Sequence, residues 1–257
     1  MRRRISNIKL SKPAPTHSFS TVSLIHARTR RHTRTMIQPK DIYILIACEE
    51  SQAECQAFRE RGFKAYSCDI QPVRRGGNPY WHIQGDVTGL LHGDTAFNVQ
   101  AGYLRCVPRW DMIIAHPPCT YICKVGSVWM KRNGVIDPDR FAKMQQAVKF
   151  FYECLGASAK YVAVENPLPM KLAGLPHPDT YVCPSWFGVK YTKKTLYWLR
   201  NLPPIMPEIE HSHPKSFVHS SRGKYRSRTF PQLAQALAKQ WGDFILDELR
   251  KEESMTK

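Results

Sequence analysis

Cys119 stands directly after Pro117 and Pro118, and Glu165 lies 46 positions further on, in Glu165-Asn166-Pro167. Prolines remove backbone donors and stiffen a loop, so the thiol is held at a fixed place. A thiolate there can act as a nucleophile if its pKa is lowered or a proton acceptor is near. A buried, inert cysteine is the other role open to it. Glu165 can hydrogen-bond the ring nitrogen and amino group of a pyrimidine, making a ring carbon electrophilic while a thiolate attacks. Its plainer role is a surface glutamate before a turn, with Pro167 imposing an extended Asn166 and an abrupt strand end.

A second constellation lies earlier, in Ala47-Cys48-Glu49-Glu50-Ser51-Gln52. A turn that binds a dinucleotide needs glycines so that a pyrophosphate can reach backbone N–H groups. This turn has none, and its two carboxylates would repel a pyrophosphate. They would attract a cofactor with cationic sulfonium and ammonium groups, such as S-adenosylmethionine. Asp69 is placed to accept from two ribose hydroxyls and Asp86 from an adenine amino group. The alternative is that Glu49 and Glu50 cap a helix start.

The elements that must position these groups follow from apolar patterning. Residues 42–48 form a continuous apolar run, as in a buried parallel strand. After the polar turn a helix runs to about Arg61 and stops at Gly62. Residues 63–68 form a second strand ending at Asp69. Residues 70–80 read as loop, and Gly85-Asp86-Val87 closes a further short segment. A strand from Trp110 to Ala115 runs into His116-Pro117-Pro118-Cys119. The clearest helix spans 139–156, with Phe141, Met144, Val148, Phe151 and Leu155 on one face and Gly156 at its end. Tyr161 to Val164 is a strand, residues 168–186 are Pro-rich and irregular, and Thr195 to Leu199 is another strand. A helix at 231–250 closes the chain, with Leu233, Leu237, Trp241, Phe244 and Leu249 on its apolar face. The alternation predicts a doubly wound, mostly parallel α/β sheet. Ligands bind outside the carboxyl ends of such strands, so Asp69, Cys119 and Glu165 should converge on one rim.

The 257 residues carry 38 Lys+Arg against 21 Asp+Glu, a formal charge of +17. Ten of the cations, and no acid, fall in residues 1–40, which leaves +7 for residues 41–257. A surface this basic suggests a polyanion such as nucleic acid, or an anionic membrane face. The arm 1–38 reads as disordered. It suits a nucleic-acid-binding tail, an organelle transit peptide, or an extension ahead of a natural start at Met36. Residues 39–250 are expected to form one domain with a short insert at about 200–229, and 251–257 a tail. No apolar run reaches the roughly 18–20 residues of a membrane span. Eight scattered cysteines suit a reducing cytoplasm.

Taken in order, these segments resemble the DNA cytosine-5 methyltransferases, most of all their compact phage and prophage members. The resemblance covers roughly residues 42–245. Pro117-Pro118-Cys119 is similar to motif IV, whose cysteine attacks carbon 6 of cytosine, and Glu165-Asn166-Pro167 to motif VI, whose glutamate binds and protonates the base. Phe187-Gly188-Val189 with Lys193-Lys194-Thr195-Leu196-Tyr197 resembles motif VIII. Phe230 to Ala238 resembles the end of motif X, a helix packed beside the cofactor. Asp69 and Asp86 stand at the acidic positions of motifs II and III.

The resemblance implies the Rossmann-like fold of S-adenosylmethionine-dependent methyltransferases and methyl transfer to carbon 5 of cytosine in DNA through a covalent cysteine adduct. It implies Cys119, Glu165 and Lys193 as catalytic residues. Ala47, Cys48, Glu49, Glu50, Ser51, Asp69, Asp86 and Pro117 would hold S-adenosylmethionine. Lys194, Arg222, Lys224, Arg226 and Arg228 would contact DNA, although that basic cluster also reads as a solvated loop. No metal is implied. A monomeric, cytoplasmic modification enzyme of a phage or prophage, with no membrane partner, completes the expectation.

The chain departs from the family where Cys48-Glu49-Glu50-Ser51 replaces a glycine-bearing motif I and Thr195 replaces a second basic residue of motif VIII. No motif IX is recognisable, and residues 200–229 are too short for a usual recognition domain. A non-catalytic DNA-binding relative is therefore an alternative. An amino-methyltransferase is disfavoured by Cys119, where an aromatic residue usually follows the prolines. In a zinc-dependent base deaminase His116, Cys119 and Cys123 would be ligands, but the cysteine spacing is one residue too long and no upstream His-x-Glu exists.

Overall fold

A computed structural model describes residues 36–209, 213–216 and 229–255. Seven strands form the main sheet: β1 (Tyr43–Ala47), β2 (Lys64–Asp69), β3 (His82–Gln84), β4 (Met112–Ala115), β5 (Tyr161–Asn166), β6 (Thr180–Val182) and β7 (Thr195–Arg200). Their spatial order is β6-β7-β5-β4-β1-β2-β3. All neighbouring pairs from β3 to β5 are parallel; β7 alone runs against the rest, antiparallel to both β5 and β6. This is the α/β, mostly parallel Rossmann-like sheet expected from the sequence.

The strands are apolar because both faces are covered. In β1, Ile44 and Ile46 point into one core layer and Leu45 and Ala47 into the other. Helix α2 (Pro138–Leu155) covers one face with Met144, Phe151 and Cys154. It starts at Asp137, whose side chain accepts the Arg140 N–H at 2.9 Å, with Pro138 supplying a helical φ at no loss of a needed donor. Helices α1 (Ala53–Glu60) and α3 (Pro231–Met255) cover the other face. Helix α3 runs five residues beyond its expected end. At the other end of the compact unit, Ile37 packs on this layer and its carbonyl accepts from Arg250 Nε at 2.9 Å.

Several pieces differ from the sequence reading. The expected irregular stretch 168–186 contains β6, which adds the outer strand. Short hairpins at Ala96–Asn98/Leu104–Cys106 and Lys131–Arg132/Val135–Ile136 had no clear apolar period to mark them. Of the short insert, residues 203–208 lie against α3: the Pro203 carbonyl accepts from Trp241 Nε1 at 2.9 Å, and Gln240 brackets the Met206 backbone at 2.8 Å on both sides. Arg222, Lys224, Arg226 and Arg228, and nearly all of the basic arm, fall outside the described residues. Among the described residues no helix is long and apolar enough to cross a membrane.

Helix α3 packs tightly at Gly242, where an added Cβ would lie 2.8 and 2.9 Å from ring carbons of the buried Phe63, just before β2. Interiors packed this tightly resist added volume. Gly242→Val is expected to lower the unfolding free energy by about 1–3 kcal/mol. The reading is a lower urea midpoint at unchanged m-value; an unchanged midpoint would contradict the close packing.

Candidate active site

All parallel strands deliver their carboxyl ends to one rim, and β7, being antiparallel, brings its beginning there. Asp69 is the last residue of β2, His116-Pro117-Pro118-Cys119 follows β4, Glu165 is the penultimate residue of β5, and Lys193 and Lys194 immediately precede β7. The register pairs Tyr197 with Glu165 and Leu196 with Asn166. Residues more than a hundred positions apart thus share one edge.

The centre of the rim is a line of three ionisable groups. Glu54, in the first turn of α1, is fully buried, and its Oε2 lies 3.1 Å from His116 Nε2. On the opposite side of the ring, His116 Nδ1 lies 3.1 Å from Glu165 Oε2. Thr229 Oγ1 reaches the other oxygen of Glu54 at 3.5 Å. Burial works against a proton on His116, but the Glu54 charge and the hydrogen bonds to both carboxylates outweigh it and hold the pKa well above the ordinary histidine value. Burial pushes Glu165 up, while the His116 hydrogen bond and the His116 and Lys193 charges bring it below the usual carboxylate range. Tyr197, also buried, faces both carboxylates and is held strongly protonated by burial and by their charge.

The proline loop is tied to β5 through Asn166, whose Nδ2 donates to the Pro117 carbonyl at 2.9 Å. Asn166 Oδ1 is buried with no hydrogen-bond partner. Beyond the prolines the chain makes a helical turn, with the Cys119 carbonyl accepting from Ile122 and Cys123 N–H groups at 3.1 and 3.0 Å. The Cys119 and Cys123 thiols consequently face each other and hydrogen-bond. The partnership, burial and the nearby Glu165 charge keep the proton on Cys119. The hydrogen bond from Cys119, aided by N–H groups of Gly126 and Val125, lowers Cys123 to about 6. Two backbone bonds of 2.7 Å, Lys124 N–H to Leu168 and Met170 N–H to Ile122, fasten this turn to the segment after Pro167.

A narrow crevice of about 10 Å³, room for a single water, lies beside this cluster. Glu165, Pro184, Lys193, Thr195, Thr229 and Phe230 are among its walls. Lys194 instead lies over the Tyr181 ring, 4.0 Å from its centroid. Trp129 and Val128, in the 3₁₀ helix after Cys123, are about 70% exposed, with Lys124, Lys131 and Arg132 exposed beside them.

The turn after β1 reaches a glycine-like shape without glycine. Cys48 and Gln52 have φ of 61° and 58°, the left-handed region that costs a side-chain-bearing residue about 1–3 kcal/mol. Gln52 is held there by bonds from Nε2 to Ser67 Oγ and the Asn78 carbonyl, at 3.1 and 3.0 Å, and by Asn78 N–H donating to Oε1 at 2.7 Å. Glu49 turns inward and caps α1, accepting the N–H groups of Glu54 at 2.7 Å and Cys55 at 3.3 Å. Burial and the Glu54 charge outweigh those donors and push Glu49 up to about 8. Glu49 therefore takes the capping role open to it in the sequence, and Glu50 forms an ion pair with Arg74. Ala47 is buried, and Ser51 Oγ lies 3.4 Å from Glu49 Oε1.

Asp69 and Asp86 flank this turn. Asp69 accepts the Gln71 N–H at 2.8 Å, and partial burial raises its pKa. Asp86 accepts the hydroxyl and N–H of Thr88 at 2.7 and 2.9 Å, which lowers its pKa. Next to Asp69, Ile70 is 75% exposed. The structure thus brings Ala47 to Ser51, Asp69, Asp86, Pro117, Cys119, Glu165 and Lys193 to one rim.

Sequence reasoning missed Glu54 and Asn166, and treated His116 and Cys123 only as metal ligands. With carboxylates on both ring nitrogens, His116 has no lone pair left for a metal, and no cluster of three or more ligating side chains occurs among the described residues. The available signal was Glu54 itself, an acid beside Cys55 on the inward face of a helix.

No protein-family model matches the chain, and no curated protein is similar to it. Among solved structures it is similar to the crystal structure of a Spodoptera frugiperda DNMT2 mutant, at 17% identity and a TM-score of 0.30. The overlap covers 68% of this chain and 56% of that one, so the chain matches little more than half of the DNMT2 length. A superposition this loose assigns no function.

Glu49 and His116 both hold protons in the folded chain that the unfolded chain releases. The windows run from 4.5 to about 8 for Glu49 and upward from 6.5 for His116. Both contributions are complete at the acid side of their windows and are lost as pH rises. Cys123, lowered from 9.0 to about 6, works in the opposite direction over part of the same range, so the Glu49 share is read by difference from the parent. Between pH 5 and pH 8 the urea midpoint of Glu49→Gln is expected to fall less, or rise more, than the parent's; parallel profiles would contradict the assignment.

Proposed function

We propose that the chain is an S-adenosylmethionine-dependent methyltransferase that acts on carbon 5 of cytosine in DNA through a covalent bond to Cys119. The observation that carries this reading is the meeting of Cys119 and Glu165 on one rim, beside a cleft that Glu165 and Lys193 share. Without that juxtaposition a thiol and a carboxyl could not act on one ring.

The acceptors on the other half of the rim fit the cofactor. Asp69 commits Oδ1 to Gln71, which leaves acceptor capacity on Oδ2 for ribose hydroxyls. Asp86 suits an exocyclic amino group, and exposed Ile70 offers an apolar surface for an adenine face. Ala47, Cys48, Ser51 and Pro117 would line the remainder, and Glu50, already paired with Arg74, lies near Asp69. When bound, S-adenosylmethionine supplies an electrophilic methyl carbon, which carbon 5 takes up once it is electron-rich.

The chain's own groups make it so. A cytosine turned out of a duplex, at a cost of a few kcal/mol, would enter between Cys119 and Glu165 as the crevice widens to admit it. Cys119 gives up its proton to solvent as its sulfur approaches the ring, since Cys123, lowered to about 6, is too weak a base to hold it. The Cys119 sulfur then bonds to carbon 6, and the carbon 5–carbon 6 π pair shifts toward carbon 5 and the ring nitrogen. Glu165 meets that nitrogen and the amino group, while the Lys193 ammonium offsets charge at the cleft. Loss of the carbon 5 proton restores the double bond and releases the thiolate. Exposed Trp129, Lys124, Lys131 and Arg132, on the segment that follows Cys123, offer stacking and phosphate contacts. Arg222, Lys224, Arg226 and Arg228 extend the basic surface in sequence, and Lys194 stands on the edge beside β7.

Methyl transfer from labelled S-adenosylmethionine to mixed-sequence DNA tests the reading. Cys119→Ala is expected to lose activity by about a thousand-fold or more, the scale on which a covalent nucleophile acts. Transfer by Cys119→Ala at the parent rate would contradict the covalent route. DNA binding by the parent with no transfer would favour a non-catalytic relative.

A further inference from the structure

Resting on the reading of Glu165 as the group that meets the base, we infer that His116, clamped between Glu54 and Glu165, is an imidazolium positioning residue that fixes Glu165 and sets its acidity. The geometry requires a second proton in the line. Both ring nitrogens lie 3.1 Å from carboxylate oxygens. A neutral imidazole has one N–H, so its other nitrogen would press a lone pair against an acceptor. Either the ring is doubly protonated or one of the carboxyls carries the proton.

Burial favours the imidazolium. Glu54 has no exposed side-chain surface, and His116 is its cationic partner among the described ion pairs. A carboxylate buried without a counter-charge is strongly disfavoured. The charged and titratable groups acting on the ring are Glu54 and Glu49 from α1 and its turn and Glu165 from β5; Tyr197 of β7, Lys193 just before it and Cys119 of the proline loop act on its carboxylate partners, and Cys123 on Cys119. With Glu49, Tyr197 and Cys119 protonated, Glu54, Glu165 and the Cys123 thiolate stand against Lys193 and the ring. An imidazolium leaves the cluster one negative charge in excess, and a neutral ring would leave two.

The clamp gives Glu165 a defined task. Its Oε2 is committed to His116, so the remaining oxygen is the one available to a base in the cleft. The ring nitrogen of cytosine and a carboxylate oxygen are both acceptors, so pairing them takes up one proton from solvent. When the sulfur bonds to carbon 6 and its electron pair pushes charge onto the ring, that proton moves to the ring nitrogen. The carboxylate left behind faces the imidazolium, which stabilises it and makes Glu165 acidic enough to release the proton. Glu54 acts one step back by keeping His116 charged.

The test uses ¹⁵N-histidine-labelled full chain, with the His116 ring signals identified by their loss in His116→Asn. The parent is expected to show His116 doubly protonated at pH 8. Glu54→Gln, which keeps an acceptor oxygen but removes the charge, should lower that titration by about one pH unit, a tenfold change. In methyl-transfer assays the alkaline limb of kcat should move down by the same amount, with KM for DNA unchanged. His116→Asn, which retains a donor toward Glu165, should keep more kcat than His116→Ala. A His116 ring that titrates near 6.5 in the parent, or a Glu54→Gln pH profile scaled down without a shift, would overturn the inference. A parent that transfers no methyl would instead remove the reading of Glu165, whatever the ring signals show.

Discussion

A carboxylate sealed from water demands a counter-charge, and Glu54 is fully buried where α1 meets the sheet. His116 answers it, and in doing so turns its other nitrogen to Glu165. That one requirement ties the first helix, the end of β4 and the end of β5 together. A buried ion pair is a weak source of net stability, because desolvation offsets most of the attraction. Its strength lies in direction: removing one member leaves an uncompensated charge, so the arrangement tolerates few alternatives.

The same economy shapes the turn after β1. Glycines would give the left-handed backbone freely, yet Cys48 and Gln52 adopt it. Gln52 offsets the strain with three hydrogen bonds to Ser67 and Asn78, which anchor the turn to β2 and the loop beyond it. Glu49, pointing inward, satisfies two donors at the start of α1 and thereby sets where Glu54 enters. The turn and the charge line form one construction. Asn166 plays the corresponding part on the other side, holding the Pro117 carbonyl and so fixing where Cys119 emerges.

Much of the frame was legible in the residues. Short apolar runs such as 42–48 are typical of strands covered on both faces, and strands alternating with amphipathic helices lead to a parallel sheet. The sheet then places strand ends on one edge, which is why Asp69, Cys119 and Glu165 could be grouped from sequence, while Lys193 entered only through the family resemblance. The reversed direction of β7 was not legible, since a strand's residues do not encode its orientation. Outer strand β6 is three residues long and lies among prolines, with no period to read. The clamp on His116 was hidden because it joins residues 62 and 49 positions away. A carboxylate on a short helix reads as solvent-facing until the neighbouring layer is known. The pairing of Cys119 with Cys123 could have been found, since four residues is one helical turn, but only if the loop after two prolines were known to coil.

The account's central claim is that Cys119 and Glu165 act on the same base from one rim. It is tested most directly with DNA carrying 5-fluorocytosine, incubated with the protein and S-adenosylmethionine and digested for peptide mass spectrometry. Fluorine at carbon 5 cannot leave as a proton does, so a covalent adduct persists. The account predicts a stable protein–DNA complex with the base attached to the peptide at Cys119, and its loss when Glu165 is replaced by Ala. An adduct mapped to Cys123, or the absence of any adduct in a preparation that methylates ordinary cytosine, would contradict it.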